Sequence, residues 1–267
     1  MTSTLVRGKE AKILVLNPNS SQAMTDGLRA VINDVDLPYS TEIHTYTAPP
    51  PSPSSINDGG DIQRSTDVVL ADLTDEHRAA YDGILVACFS VHSLVPALQG
   101  GDTNPSHRSQ AVTGIFEASI LTALSLLKPG EKWGIVTTGK FWEAHLSDGV
   151  REFLGITAPS EENAKFAGVA STGLNASDFH HGVDPAVVQA KLRDATRKLL
   201  AGGRTTCVVM GCAGMAGLEE IIREAACELL GEQFAYGDLH VVDGVRAGLM
   251  QVENMIKLQR FRPGIKK

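Results

Sequence analysis

Two of the four cysteines, Cys88 and Cys212, each close a short apolar run: Gly83-Ile84-Leu85-Val86-Ala87 before Cys88, and Cys207-Val208-Val209-Met210-Gly211 before Cys212. A thiol so placed emerges where a buried strand gives way to a loop or a helix start. Helix N-terminal amides lower a thiol's pKa, and the thiolate is the reactive form, so both positions favour a thiolate. The small residues Ala213-Gly214-Met215-Ala216-Gly217 also let backbone N–H groups come close to a ligand oxygen. Two facing thiols suit one reaction type in particular. A thiolate removes a proton from carbon on one face, a thiol returns a proton on the other, and the roles reverse for the opposite enantiomer. A carbon acid beside a carbonyl also needs donors for the developing oxyanion, and Asn17, Ser90, Thr137, Thr138 and the amides after Cys212 fit that need. A free cysteine more often just packs, which is the reading for Cys207 inside its strand and Cys227 on a helix expected over 219–230.

The elements that must hold these thiols follow a repeating grammar. Lys12-Ile13-Leu14-Val15-Leu16 reads as a strand, Asn17-Pro18-Asn19-Ser20-Ser21 as a turn with capping residues, and 22–33 as a helix. A strand near 41–47, a helix across about 60–80 and the strand ending at Cys88 come next. Further strands are predicted at 111–115, 133–137, 166–171, 207–210 and 240–242, with helical patterns between most of them. Strands alternating with helices argue for parallel α/β architecture, in which ligands bind beyond the carboxyl ends of the strands. A polar strand end followed some 70 residues later by a strand-terminal cysteine occurs twice, as Asn17 with Cys88 and as Thr137 with Cys212. This is a repeat of architecture, with slight residue identity between the copies.

The chain has 267 residues, 43% hydrophobic and 21% charged, which excludes disorder and suits one large or two modest domains. Lys and Arg number 24 against 31 Asp and Glu, a net charge of -7, with no basic run to follow a phosphate backbone, so nucleic acid is not expected as a partner. No apolar run reaches the ~20 residues a bilayer needs, and no export signal opens the chain, so the expectation is a cytoplasmic protein without membrane contact. Four scattered cysteines make neither a disulfide framework nor a structural zinc site.

Other residues could carry chemistry. His92, four residues after Cys88, could orient a nucleophilic thiolate for amide hydrolysis, although a loop histidine that only shapes the pocket is the plainer reading. His180-His181 lacks a third ligand at metal spacing and reads as a solvated turn. Glu117 reads as a favourable first-turn acid of the helix after Gly114-Ile115. In Lys140-Phe141-Trp142-Glu143 the aromatics could wall a pocket or a subunit contact, with core packing as the default. Pro49 to Ser55 is either an ordered loop over a site mouth or a flexible linker. No glycine fingerprint follows the first strand, and Gly139-Lys140 lacks the rest of a phosphate loop, so no cofactor is expected.

Leu16-Asn17-Pro18-Asn19-Ser20 with Met24-Thr25, Val86-Ala87-Cys88-Phe89, Gly114-Ile115-Phe116-Glu117-Ala118 and Met210-Gly211-Cys212-Ala213-Gly214-Met215 resemble the hydantoin racemase branch of the aspartate/glutamate racemase superfamily. The resemblance spans nearly the whole chain. It implies two pseudo-symmetric, Rossmann-like α/β domains with parallel central sheets, a site in the interdomain cleft, and cofactor-independent racemisation by two cysteines, matched by Cys88 and Cys212. It further implies a first domain of 1–110 plus 216–267, a second of 111–215, and a substrate surrounded by Asn17, Pro18, Phe89, Ser90, Thr137, Thr138, Ala213 and Gly214. A homo-oligomer is compatible with it. Where bacterial hydantoin racemases follow Cys-Phe with Gly-Asp-Pro, this chain has Ser90-Val91-His92, closer to fungal members. Both cysteines are present, unlike in the related arylmalonate decarboxylases, which keep only the second.

The reading that results is a racemase or epimerase inverting the carbon next to a carbonyl in a small cyclic ureide, a 5-substituted hydantoin or allantoin. An amino-acid racemase, a cysteine-dependent hydrolase or lyase, and a binding protein with an inactive pocket are the alternatives. The net acidity speaks against a dianionic substrate such as aspartate.

Overall fold

The computed structural model describes residues 11–37, 41–100, 110–158, 163–179 and 182–261. The expected turn at His180-His181 lies outside the described residues. Two four-stranded parallel sheets organise the chain. The first has the order β2-β1-β3-β4, from β1 (Ala11–Asn17), β2 (Thr41–Thr47), β3 (Gly83–Val86) and β4 (Ala111–Gly114). The second repeats the pattern as β6-β5-β7-β8, from β5 (Lys132–Thr137), β6 (Phe166–Ser171), β7 (Thr205–Gly211) and β8 (His240–Asp243). The central strands β1, β3, β5 and β7 are continuous apolar runs because helices cover both faces.

Local chemistry sets the helix boundaries. Ser21 caps α1 (Gln22–Asn33) by accepting from the Met24 N–H, and Asp58 caps α2 (Gly59–Asp72) by accepting from Asp61. The single helix expected over 60–80 is two: α2 stops at Asp72, and Thr74 caps a new short helix, α3 (Asp75–Ala79), through the His77 N–H. After β3 the chain runs through a loop to α4 (Leu94–Gly100). Helices α5 (Ile115–Leu126) and α6 (Phe141–Phe153) flank β5, and α7 (Pro185–Leu200) and α8 (Glu219–Leu230) cover the second sheet. The last helix, α9 (Gly244–Gln259), leaves β8 and packs against α5, β3 and β4.

Sheet membership divides the chain elsewhere than at the expected boundaries of residues 110 and 216. β4 is the edge strand of the first sheet and β8 that of the second, and of the segment after 216 it is α9 that returns to the first sheet. α9 reaches β3 closely because two glycines face the contact: a Cβ on Gly83 would lie 2.4 Å from Val252 Cγ1, and one on Gly248 2.5 Å from Leu85 Cδ1. α5 also touches β7 and β8, so one core runs between the sheets, joining Leu85, Phe116, Trp133, Ile135, Val209 and Leu249. Among the described residues no helix is long and apolar enough to cross a membrane.

Candidate active site

The carboxyl ends of β1, β3, β5 and β7 converge on one cleft that carries both cysteines. From the first sheet, Ala87, Cys88 and Phe89 line it, with Asn19, Met24 and Ile56 from neighbouring loops and α1. From the second come Thr138, Gly211, Cys212, Ala213 and Gly214, with Trp142 of α6 and Ala176. No Lys, Arg, Asp or Glu side chain is among these walls.

The two thiols are held differently. Cys212 precedes a short 3-10 turn, Ala213–Met215, and its sulfur accepts the Gly214 N–H at 3.3 Å. Cys88 stands six residues before the start of α4, in a loop without helix amides, and its sulfur accepts the Ser90 hydroxyl at 3.4 Å. The sequence expectation of thiolate-favouring surroundings is corrected here, because burial outweighs the donors at both positions. Burial pushes Cys212 up to about 11 against the pull of the Gly214 and Met215 amides. Burial also pushes Cys88 up to about 12, opposed by the Ser90 bond and reinforced by the nearby charges of Cys212 and Glu117. Each thiol therefore resists ionising while the other is charged, and a single negative charge on the pair is favoured over two.

Of the residues expected around a substrate, Phe89, Thr138, Ala213 and Gly214 line the cleft beside the two cysteines. Asn17, Pro18, Ser90 and Thr137 stand behind it. The Asn17 amide donates to Asn19 Oδ1 at 3.0 Å and to Thr25 Oγ1 at 3.0 Å, which fixes the turn and presents Asn19 to the cleft instead. Pro18 gives its carbonyl to the Ser52 hydroxyl at 2.6 Å, and Thr137 donates its own to the Gly211 carbonyl at 2.8 Å. The strand-end hydroxyl of Thr137 and the Asn17 amide are thus spent on the scaffold and not on an oxyanion.

Gly211 is needed where it stands. A Cβ there would meet Ile135 Cγ2 at 2.6 Å and the Val136 carbonyl at 2.9 Å, so only glycine lets β7 pass this close to β5 before Cys212. Pro49 to Ser55 is an ordered loop: Ser20 Oγ donates to the Ser52 carbonyl at 2.8 Å, and the Ser20 N–H to that of Pro53 at 3.0 Å. This anchoring delivers Ile56 to the cleft.

His92 does not serve Cys88. It is 1% exposed, its Nδ1 accepts the Leu94 N–H at 3.2 Å, and its Nε2 lies 3.2 Å from Ser65 Oγ. With Nδ1 accepting, the proton sits on Nε2, and burial with the His145 charge lowers the ring to about 4, so it stays neutral. The Cys/His pairing that amide hydrolysis requires is absent among the described residues. Cys207 is buried in β7, and Cys227 packs against the second lobe's core. Glu117 is the first-turn acid of α5 that the sequence predicts, but burial raises it to about 7, and its Oε2 is buried without a hydrogen-bond partner.

Sequence reasoning missed Asn19, Met24, Ile56, Ala87, Ala176 and Gly211 as lining residues and left Trp142 between wall and core. Signals existed for two of these, in the turn-rich segment ending at Ile56 and in the aromatic pair opening α6. Among the described residues no three His, Cys, Asp or Glu side chains gather as a metal site.

Residues 13–252 match the Asp/Glu/Hydantoin racemase family. An uncharacterized Schizosaccharomyces pombe protein is 32% identical over 250 residues, covering 94% of each chain, which agrees with the fungal-type loop after Cys88. The hydantoin racemase of Pseudomonas sp. (strain NS671) is 25% identical over 247 residues, 92% of this chain and 86% of that one. Among solved structures, allantoin racemase from Klebsiella pneumoniae superimposes with a TM-score of 0.70 at 25% identity, covering 93% of this chain and 89% of that one. With two parallel sheets of the same strand order and a match along nearly its whole length, this chain belongs to the Asp/Glu/hydantoin racemase family.

Proposed function

We propose that this protein is a cofactor-independent racemase or epimerase that inverts the carbon α to a carbonyl in a small cyclic ureide, a 5-substituted hydantoin or allantoin, with Cys88 and Cys212 as its two bases. The observation that carries the reading is the opening of both thiols, from equivalent strand ends of the two sheets, into one cleft. One sulfur, as thiolate, takes the proton from the ring carbon, and the electron pair moves into the adjacent carbonyl as an enolate. The other sulfur, as thiol, returns a proton on the opposite face, leaving the thiolate on the other side. No atom is gained or lost, and the reverse passage serves the other enantiomer.

The walls support a neutral ring as substrate. A free amino acid brings a carboxylate that needs a fixed cation or several donors, and among the described residues the cleft presents no lysine or arginine. Asn19 and Thr138 give it polar edges, and Met24, Ile56 and Trp142 an apolar side, which suits a flat ureide with a substituent. The ring C–H of a hydantoin, flanked by carbonyl and amide nitrogen, is more acidic than that of a free amino acid and is within reach of unaided thiolates.

The test is NMR in heavy water with single enantiomers of allantoin, benzylhydantoin and aspartate, with polarimetry alongside and uncatalysed exchange subtracted. Deuterium is expected to enter the ring carbon of a ureide as rotation decays, with aspartate inert. New products without inversion, or exchange with aspartate alone, would overturn the reading.

A further inference from the structure

The two sulfurs occupy unlike surroundings. Cys212 accepts a backbone amide, whereas Cys88 has a single side-chain hydroxyl and a carboxylate close enough to act on it. That carboxylate, Glu117, is placed by the sheet register: β4 pairs with β3 as Gly114 with Val86, two residues before Cys88, and Gly114 caps the helix whose first turn holds Glu117. The carboxylate folds back over this cap so closely that a Cβ on Gly114 would lie 2.4 Å from its Oε2. The same oxygen is buried and has no hydrogen-bond partner. A buried acid on the first turn of a helix normally spends both oxygens on donors, so an orphaned oxygen over the carboxyl end of β4, the strand paired with the one that leads to Cys88, asks for a role.

We propose that the two thiols differ in acidity, Cys212 giving up its proton before Cys88, and that the negative charge of Glu117 widens the difference. Glu117 is then a positioning residue that never touches substrate. The proposal rests on the two-base reading above and adds to it which sulfur gives up its proton first. Repulsion between Glu117 and a Cys88 thiolate keeps the proton on Cys88, while the Gly214 amide offers the charge a better place on Cys212. The titratable groups on elements packed against α5 are Cys88 itself, Cys207 of β7, His240 and Asp243 of β8, and Arg246, Glu253 and Lys257 of α9. Asp243 is engaged in capping α9, Arg246 with Asp34, and Lys257 with Glu253. Glu117 acts on Cys88 while burial holds its own proton up to about 7.

The experiment is alkylation of the unliganded protein by iodoacetamide over a series of pH values, with peptide mass spectrometry giving a rate for each cysteine. Cys212 is expected to show the lower apparent pKa. Glu117→Gln should lower that of Cys88 by about one unit, about tenfold in reactivity on its rising limb, and leave Cys212 where it was. Cys88 ionising first, an unmoved Cys88 in Glu117→Gln, or equal movement of both cysteines would overturn the proposal. Should Glu117→Gln not fold, Gly114→Ala pushes the carboxylate aside and must move Cys88 in the same direction for the proposal to stand. Alkylation needs no turnover, so failure of the ureide reading in the exchange assay remains distinguishable from failure here.

Discussion

The carboxyl end of the first sheet and that of the second share a strand order and a cysteine, yet they solve the problem of a buried thiol in different ways. In the second lobe the backbone does it: Gly211 allows the tight passage beside β5, and the 3-10 turn aims the Gly214 amide at Cys212. In the first lobe side chains do it: Ser90 donates to Cys88, His92 holds the loop from below through Ser65 and Leu94, and Glu117 adds a charge. A pseudo-symmetric scaffold thus delivers two groups of one chemical type into unequal surroundings.

The largest expected effect tests whether both lobes are needed. Cys88→Ser and Cys212→Ser should each lower racemisation by about 10³-fold or more, since a serine hydroxyl is too weak an acid to replace a thiol as proton carrier. Circular dichroism and thermal melting should be unchanged. Residual deuterium wash-in by the two variants should fall on opposite enantiomers of the substrate. A single variant that still racemises near the wild-type rate would sink the two-base mechanism.

A smaller effect separates the lobes by their response to acid. His92 has a folded-state pKa of about 4, below its ordinary 6.5, so the unfolded chain binds the extra proton between these values. Stability from this residue is complete above about 6.5 and lost as pH falls toward about 4, at a cost of about 3 kcal/mol. Glu117 has the opposite sign: its raised value, about 7 against 4.5, means stability lost as pH rises through that window. Urea titrations should show the acid-side slope, and His92→Gln, which can keep an acceptor and a donor, should flatten it. Hydrogen exchange at mildly acid pH should open residues 88–95 before 212–217; the reverse order would place the weak point in the wrong lobe.

Much of this frame was legible in the sequence, for identifiable reasons. The apolar runs of β1, β3 and β7 are buried on both faces and read as strands without ambiguity, and the capping residues of the turn at 17–21 marked the start of the helix at 22–33. The repeat of strand ends and cysteines pointed to one cleft because parallel sheets present their carboxyl ends together. What the sequence does not show is where side chains spend their hydrogen bonds once the chain folds. Asn17 and Thr137 are strand-end polar residues like many that bind ligands, but their partners at Thr25 and Gly211 take up their hydrogen bonds. Glu117 looks the same as any first-turn acid until the fold encloses its carboxylate. The effect of burial on the thiols was likewise hidden, since sequence shows the helix amides but not the solvent the fold removes.

The smallest expected effect concerns Ser90 and sharpens the contrast between side-chain and backbone control. Its hydroxyl, 3.4 Å from the Cys88 sulfur, is the one donor that lowers that thiol's pKa, and a bond of this length to sulfur is weak. Ser90→Ala removes it and leaves a buried methyl where nothing else is orphaned. The apparent pKa of Cys88 should therefore rise by less than about one unit, lowering its alkylation rate by less than about tenfold at a fixed pH on the rising limb. Cys212 should not respond, because its donor is the Gly214 amide, which no side-chain substitution removes. The sign is opposite to that expected for Glu117→Gln, and in the double variant the two changes should partly cancel at Cys88. If Ser90→Ala instead shifted both cysteines together, the first lobe would be acting through the shape of the whole cleft, and the division between a side-chain-tuned thiol and a backbone-tuned one would not hold.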